Sequence, residues 1–305
     1  MVFDNGKLLI IGSVNVDLIL GVLDELPRRG TEVMMSQKET RVGGNAANTA
    51  FAFGALGGRC QIVANIGADM FGDWVGAAFP EDSPHWPRSA LATTISVGVT
   101  HSDGERTFLT SAGHLDSFTL ENALSQIPAK AGKGDIALLC SPFLMPLLMT
   151  ELDTLIAELQ KRGYQVALDT GWPPQGWTME IRTRLAGWLS AADHALLSEN
   201  EALAFANCDD LEQALDILSG LIGPHATLVV KCGPNGAVTR ENGRTLSIPA
   251  PKVEVVDTIG AGDIFNAGYL YGHMRGEPLF SRLTSGVQAA SAAISTLPRR
   301  YGAGR

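Results

Sequence analysis

From Asp135 onward the chain alternates short apolar runs with longer amphipathic stretches, and this rhythm restricts the fold more than any other feature. The strand-like "DIALLCS" precedes the helical "PLLMTELDTLIAELQKRG", which stops on Gly163 as a helix C-terminus should. "YQVALDT", "EIRTRLAGWLSAA", "HALLS" and "ENEALAFAN" repeat the cycle, and "LEQALDILSGLI" with "ATLVVKCG" repeats it again. Strands separated by helices pair in parallel, and the helices then cover both faces of the sheet. A hairpin, "GAVTRENGRTLSIP", follows with Asn242-Gly243 at its turn. "VEVVDT" reads as one more strand, and the end is helical in "DIFNAGYLYGHMRG" and "LTSGVQAASAAISTL".

The front of the chain fits this scheme only in part. "KLLIIGSV" reads as a buried strand, "GGNAANTAFAFGALG" as a small-residue helix and "RCQIVANIG" as the next strand. Two regions, roughly 13–42 and 93–111, instead read as extended pieces, the second flanking the polar turn "HSDGER". They predict a small β-sheet projecting from an otherwise mostly parallel α/β domain. No linker, repeat or low-complexity segment interrupts residues 1–305, so the expectation is one domain.

Composition narrows the function. The formal charge is −9 and the basic residues are scattered, which argues against a nucleic-acid surface. Cys60, Cys140, Cys208 and Cys232 lie far apart without CxxC or paired histidines, so zinc is not expected. The N-terminal apolar run is too short for a signal peptide, and "IALLCSPFLMPLLM" is broken by prolines before it could span a membrane. The expectation is a soluble, cytoplasmic protein.

The chemistry concentrates at "VEVVDTIGAGDIFNAG". Gly260 and Gly262 let the backbone approach a ligand, and the unpartnered amides of a starting helix attract an anion. Asp263 alone would repel a phosphate. If the anion is a phosphoryl group in transfer, however, that carboxylate can take the proton of an incoming hydroxyl. The plainer reading is a helix N-terminal acid, worth ~0.3–1 kcal/mol. Neither GxxxxGK[ST] nor a GxGxxG after the first strand is present. A second cluster, "RVGGNAAN", sets Asn45 and Asn48 on one helical face, where amides suit a polyhydroxyl ligand; the alternative is a tight helix entry.

An N-terminal "GGNAAN" with a C-terminal "DTIGAGDIF" resembles the ribokinase-like carbohydrate kinases of the PfkB family, across essentially the whole chain. "GSVNVDLIL", "NIGADMFGDW", "GERTF", "VVKCGPNGA" and "AASAA" extend the likeness. The resemblance implies a three-layer α/β/α sandwich with the small sheet as a lid and, in many members, a homodimer contact. It implies an ATP-dependent kinase with Mg²⁺ and a small sugar-like acceptor. Asp263 matches the catalytic base, and Gly260, Ala261 and Gly262 match the anion hole. Asn15, Asp17, Gly43, Gly44 and Asn48 match substrate positions, with Asn45 on the same helical face as Asn48. Lys231, Gly233 and Gly236 match the loop along ATP, and Gln288 falls near the adenine pocket. Asp257 and the Ile259 carbonyl match ligands of a monovalent cation, K⁺.

The chain also departs from the family. The Asn-x-x-Glu that organises magnesium has Asn200 but ends on Leu203, so that either Glu199 or Glu201 compensates through water or the phosphates and Asn200 alone hold the ion. Ser141 stands where several sugar kinases offer the substrate an acid, and "PEDSPHWPRSA" reads as a Pro-broken loop. A nucleoside kinase, with Trp172, Phe108, His101 or His114 near a base, is one alternative. A sugar-binding or regulatory protein that lost the chemistry is another. Arg106 on the expected hairpin would suit an acidic acceptor if it points inward.

Overall fold

Leu8 and Ile10 of the first strand, β1 (Leu8–Ile11), face one hydrophobic core, while Leu9 and Ile11 face a second. A strand buried on both faces needs covering layers on either side, and the rest of the chain supplies them. The computed structural model describes residues 6–25, 27–102, 106–241, 243–297 and 299–300. After β1 come β2 (Asn15–Gly21), β3 (Gln37–Gly43), α1 (Asn45–Ala55) and β4 (Cys60–Val63). The two-residue strands β5 (Ile66–Gly67) and β6 (Arg88–Ser89) flank α2 (Met70–Ala77). Next are β7 (Ile95–Thr100), β8 (Arg106–Thr110), α3 (Leu120–Leu124) and β9 (Ile136–Cys140). Helices α4 (Pro146–Thr150) and α5 (Leu152–Lys161) lead to β10 (Gln165–Asp169), α6 (Met179–Ala191) and β11 (His194–Ser198). The chain continues through α7 (Glu199–Ala206), α8 (Leu211–Ser219), β12 (Thr227–Lys231), β13 (Ala237–Glu241) and β14 (Arg244–Ile248). It closes with α9 (Ala261–Met274) and α10 (Leu279–Ile294).

The main sheet has eight strands in the order β14-β13-β12-β11-β10-β9-β1-β4. Every pair from β4 to β12 is parallel, and β13 and β14 add an antiparallel edge. Helices α1, α9 and α10 cover the Leu8 face with Phe53, Ala267 and Leu283, and α4 to α8 cover the other with Leu148, Leu155, Leu185, Ala202 and Leu215. The expected α/β architecture, a large mostly parallel sheet with a small second sheet, is what forms. That second sheet has the order β3-β2-β7-β8; β2, β7 and β8 fall inside the stretches 13–42 and 93–111, and β3 runs one residue past the first, to Gly43. Its register sets Asp17 opposite Arg41.

Three local expectations are corrected. "VEVVDT" is not a strand: Val255 and Val256 are half exposed, and Pro249 and Pro251 ahead of them lack the N–H groups a ladder needs. The segment crosses from the edge strand β14 to the helix start instead. The long helix after β9 is split at Glu151 into α4 and α5. "PEDSPHWPRSA" is more ordered than a loop, since it holds a 3₁₀ turn at Ser83–His85 and strand β6, paired in parallel with β5. Asn242, at the expected hairpin turn, lies outside the described residues. Among the described residues no helix is long and apolar enough to cross a membrane.

Candidate active site

Gly260 begins the site because a side chain there would strain the backbone and press on Asn48. It sits at φ +75°, in the left-handed region, and a Cβ on it would lie 2.8 Å from Asn48 Nδ2. This bend lets α9 start against α1. The Ala261 amide is spent on the Thr258 carbonyl at 3.2 Å, so it is not free as the sequence reading supposed. The amides of Gly260, Gly262 and Asp263 have no acceptor among the described residues. Three unspent donors at the positive end of a four-turn helix are an arrangement that attracts negative charge.

Asp263 lies in the first turn of α9 and is buried. Its Oδ1 accepts from Asn45 Nδ2 at 3.0 Å and its Oδ2 from Asn48 Nδ2 at 2.9 Å. Asn45 and Asn48 do share a face of α1, as their spacing implied, but the face is turned to this carboxylate. Burial, and after it the negative charge of Asp169, pushes Asp263 up to about 7, against the pull of the two asparagines and Lys231. A carboxyl poised near neutrality is suited to proton transfer.

The carboxyl ends of the central strands supply the rest. Lys231, at the end of β12, places Nζ 3.2 Å from Asp169 Oδ2 and 3.3 Å from Asn266 Oδ1, and Asn266 donates to the same Asp169 oxygen. Burial opposes the ammonium, but Asp169, Glu201 and Asp263 outweigh it and raise the Lys231 pKa. Nζ also lies against Gly262, 3.5 Å from where a Cβ would stand, so its charge borders the free amides. Sequence reasoning missed Asp169, Asn266 and Thr170. Asp169 carried a usable signal, an acid ending an apolar strand where ligands gather in parallel sheets.

The expected Asn-x-x-Glu reading needs a shift of register. Asn200 is exposed at the start of α7, and Leu203 packs against the core. The buried acid is Glu201, three residues after Ser198, which caps the helix. Glu201 Oε2 accepts from the Ser198 amide at 2.8 Å and from Thr170 Oγ1 at 3.0 Å, and burial with Asp169 raises its pKa. Helical geometry explains the shift, because Ncap and N3 share a face whereas N2 points away.

On β2, Asn15 Nδ2 donates to Asp17 Oδ1 at 2.9 Å, and both residues are buried. Burial raises Asp17, with Arg41 and Asn15 pulling the other way. Gly43 and Gly44 admit these side chains: a Cβ on Gly43 would stand 2.1 Å from the Asp17 carboxyl, and one on Gly44 2.6 Å from Asn15 Oδ1. Close packing is therefore one reason for the glycine pair.

Asp257 does not look like a cation ligand. Its Oδ1 accepts the Ile259 amide at 2.9 Å, and its Oδ2 takes Arg41 Nη1 at 2.6 Å together with Arg299 Nη2. Burial would raise its pKa, but Arg299 and Arg41 prevail and lower it. A monovalent ion would have to sit beside two guanidinium groups, so the residues present do not fit K⁺ there.

The remaining candidates are dispersed. Gly233 is exposed and Gly236 tightly packed in the loop after β12, and Gln288 faces outward from α10. Ser141 lies just beyond β9 in a left-handed conformation. His114 is buried between the Thr94 amide and the Val14 carbonyl, and His101 bonds the Leu23 carbonyl and Thr107, so both rings are engaged internally. Trp172 is half exposed, edge-on to Trp177, and Phe108 is 44% exposed on β8. The Arg106 side chain lies outside what is described.

The chain is similar to known proteins along most of its length. A fructokinase of Klebsiella pneumoniae is 29% identical over 276 residues, covering 88% of this chain and 84% of its own. A probable sugar kinase of Rhizobium etli superposes with a TM-score of 0.80 at 22% identity, over 97% of this chain and 95% of that one. Aminoimidazole riboside kinase from Salmonella enterica, complexed with aminoimidazole riboside and an ATP analog, gives 0.77 at 21% identity, over 95% and 94%. The pfkB family carbohydrate kinase pattern matches residues 5–298. The chain therefore belongs to the pfkB family of carbohydrate kinases, phosphotransferases acting on hydroxyl groups of sugars or nucleosides.

Proposed function

We propose that this protein transfers the γ-phosphoryl group of ATP to a hydroxyl of a small sugar or sugar-like acceptor, with Asp263 as base. The observation that carries the reading is the Asp263 carboxylate itself: buried, fixed by Asn45 and Asn48, held near neutrality, and set beside three unspent amides. The acceptor O–H gives its proton to Asp263, the oxygen forms a bond to the γ-phosphorus, and the bond to the ADP oxygen breaks. Charge on the migrating group is met by the amides of Gly260, Gly262 and Asp263 and by the Lys231 ammonium. Ala261 contributes shape to the turn rather than a donor.

Asn15 and Asp17 are the proposed contacts to acceptor hydroxyls, and the sheet β3-β2-β7-β8 is the proposed lid of a single kinase domain. A dimer through that sheet is part of the same proposal, and sedimentation decides it. Among the described residues no group of three His, Cys, Asp or Glu could hold a metal. Mg²⁺ would therefore arrive with the nucleotide phosphates and shield their charge, as is usual for this ion. Glu201 and Asp169 are the buried carboxylates that would orient it. The test is ADP release across a panel of sugars, sugar acids and nucleosides. Turnover with one class names the acceptor, and sugar binding without any ADP release would support a binding protein instead.

A further inference from the structure

Resting on that kinase reading, we infer that Arg41 and Arg299 do in this chain the work of a bound monovalent cation, so that the anion-binding turn is ordered without K⁺. The turn has little structure of its own. Residues 251–258 form no strand, and Gly260 bends in the left-handed region. Asp257 holds it locally by accepting the Ile259 amide at 2.9 Å. The Val256 and Asp257 amides both donate to the Ile294 carbonyl, at 2.8 and 3.1 Å, which pins it to the end of α10.

A buried carboxylate at such a junction needs positive charge, or it takes up a proton and loosens. Here the charge is covalently attached. Arg41 reaches Asp257 from β3 of the small sheet, and Arg299 reaches it from the segment after α10. All three side chains are at least four-fifths buried, with exposures of 16%, 10% and 13% for Arg41, Arg299 and Asp257. The acids facing this pair are Asp17, opposite Arg41 in the register, and the exposed Glu39, 3.7 Å from Arg41 Nη1. Two guanidinium groups on one carboxylate leave no electrostatic need for a third cation. Arg41 also ties the turn to the small sheet, which a diffusible ion could not do in the same way. Both arginines are positioning residues: they act through Asp257 on the amides of Gly260, Gly262 and Asp263.

The test compares K⁺, Na⁺ and tetramethylammonium chloride at equal ionic strength, reading ADP release and, separately, the melting temperature of the intact protein. The wild-type protein is expected to differ by less than about twofold in rate, with no K⁺-specific shift in melting, since electrostatic screening is the same in all three salts. Arg299→Ser and Arg41→Ala should slow turnover about tenfold or more in tetramethylammonium, a loss of oriented donors, and K⁺ should restore part of it. Arg299→Lys keeps the charge and should remain indifferent to the ion. A wild-type rate or melting temperature raised specifically by K⁺ would overturn the inference. So would an arginine variant that loses activity and regains nothing in K⁺ by either measure. If a variant does not fold, the wild-type comparison and Arg299→Lys still decide. If no acceptor is turned over, the kinase reading fails while the melting comparison continues to judge the cation.

Discussion

Asn48 Nδ2 donates to Asp263 Oδ2 at 2.9 Å, joining two residues 215 positions apart at the facing starts of α1 and α9. A hydrogen bond to an ionised carboxylate lowers its pKa, so this contact restrains a group that burial has pushed up to about 7. Asn48→Ala removes the restraint. The acid limb of the kcat/KM profile, expected near pH 7 in the wild type, should move to higher pH. Activity lost at neutral pH should then be partly recovered in alkaline buffer. A profile of unchanged shape, merely scaled down, would mean that Asn48 acts on the acceptor rather than on Asp263.

Asp263→Asn tests the base and its thermodynamic signature together. The variant should bind nucleotide and release no ADP. The wild-type carboxyl has a folded pKa raised above its unfolded 3.8, so between about pH 4 and 7 the native state binds more protons than the unfolded one. Stability from this group is therefore fully present below pH 4 and declines as pH rises through 7. The amide does not titrate, so urea denaturation of the variant should show a flatter dependence across that window. At pH 8 the variant should equal or exceed the wild type.

Lys231 is the cation shared by Asp169, Glu201 and Asp263. Lys231→Met leaves these acids without their counter-charge in a buried setting. Breaking a buried pair in this way costs about 3–5 kcal/mol, and urea denaturation at pH 7 should read it. The deficit should shrink in acid, where the carboxylates are protonated and the missing charge no longer matters. A deficit independent of pH would point to lost packing instead.

Much of this was legible beforehand, for reasons that can be named. Strands β1 and β9 to β12 are apolar runs separated by amphipathic ones, a pattern that admits few alternatives. Asp263 stood out because an acid directly after two flexible residues at a helix start needs a reason. Asn45 and Asn48 were placed on one face by their spacing, but spacing does not say what the face meets, and their N–H groups go to Asp263. "VEVVDT" misled because valine content suggests a strand, while Pro249 and Pro251 ahead of it remove N–H groups that a ladder with the edge strand β14 would need. Arg41 and Arg299 carried no signal. A charged residue on an extended piece, or after a last helix, usually faces water, and only folding brings both to Asp257.

Gly260→Ala brings the two ends of the site into one experiment. A left-handed backbone at φ +75° costs a residue with a Cβ about 1–2 kcal/mol, whatever surrounds it. Here the new methyl would also stand 2.8 Å from Asn48 Nδ2 and 3.1 Å from its Cγ, so the asparagine must swing off Asp263. The single variant should therefore lose stability and also shift the acid limb of kcat/KM upward, as Asn48→Ala does. In the Asn48→Ala background the amide that was struck is gone, and only the backbone strain remains. The double variant should then be less impaired than the sum of its parts, with no further shift of the limb, a coupling that the double-mutant cycle measures directly. Strict additivity in both stability and pH profile would show that Gly260 and Asn48 act on separate features, and that the turn does not set the position of the asparagine.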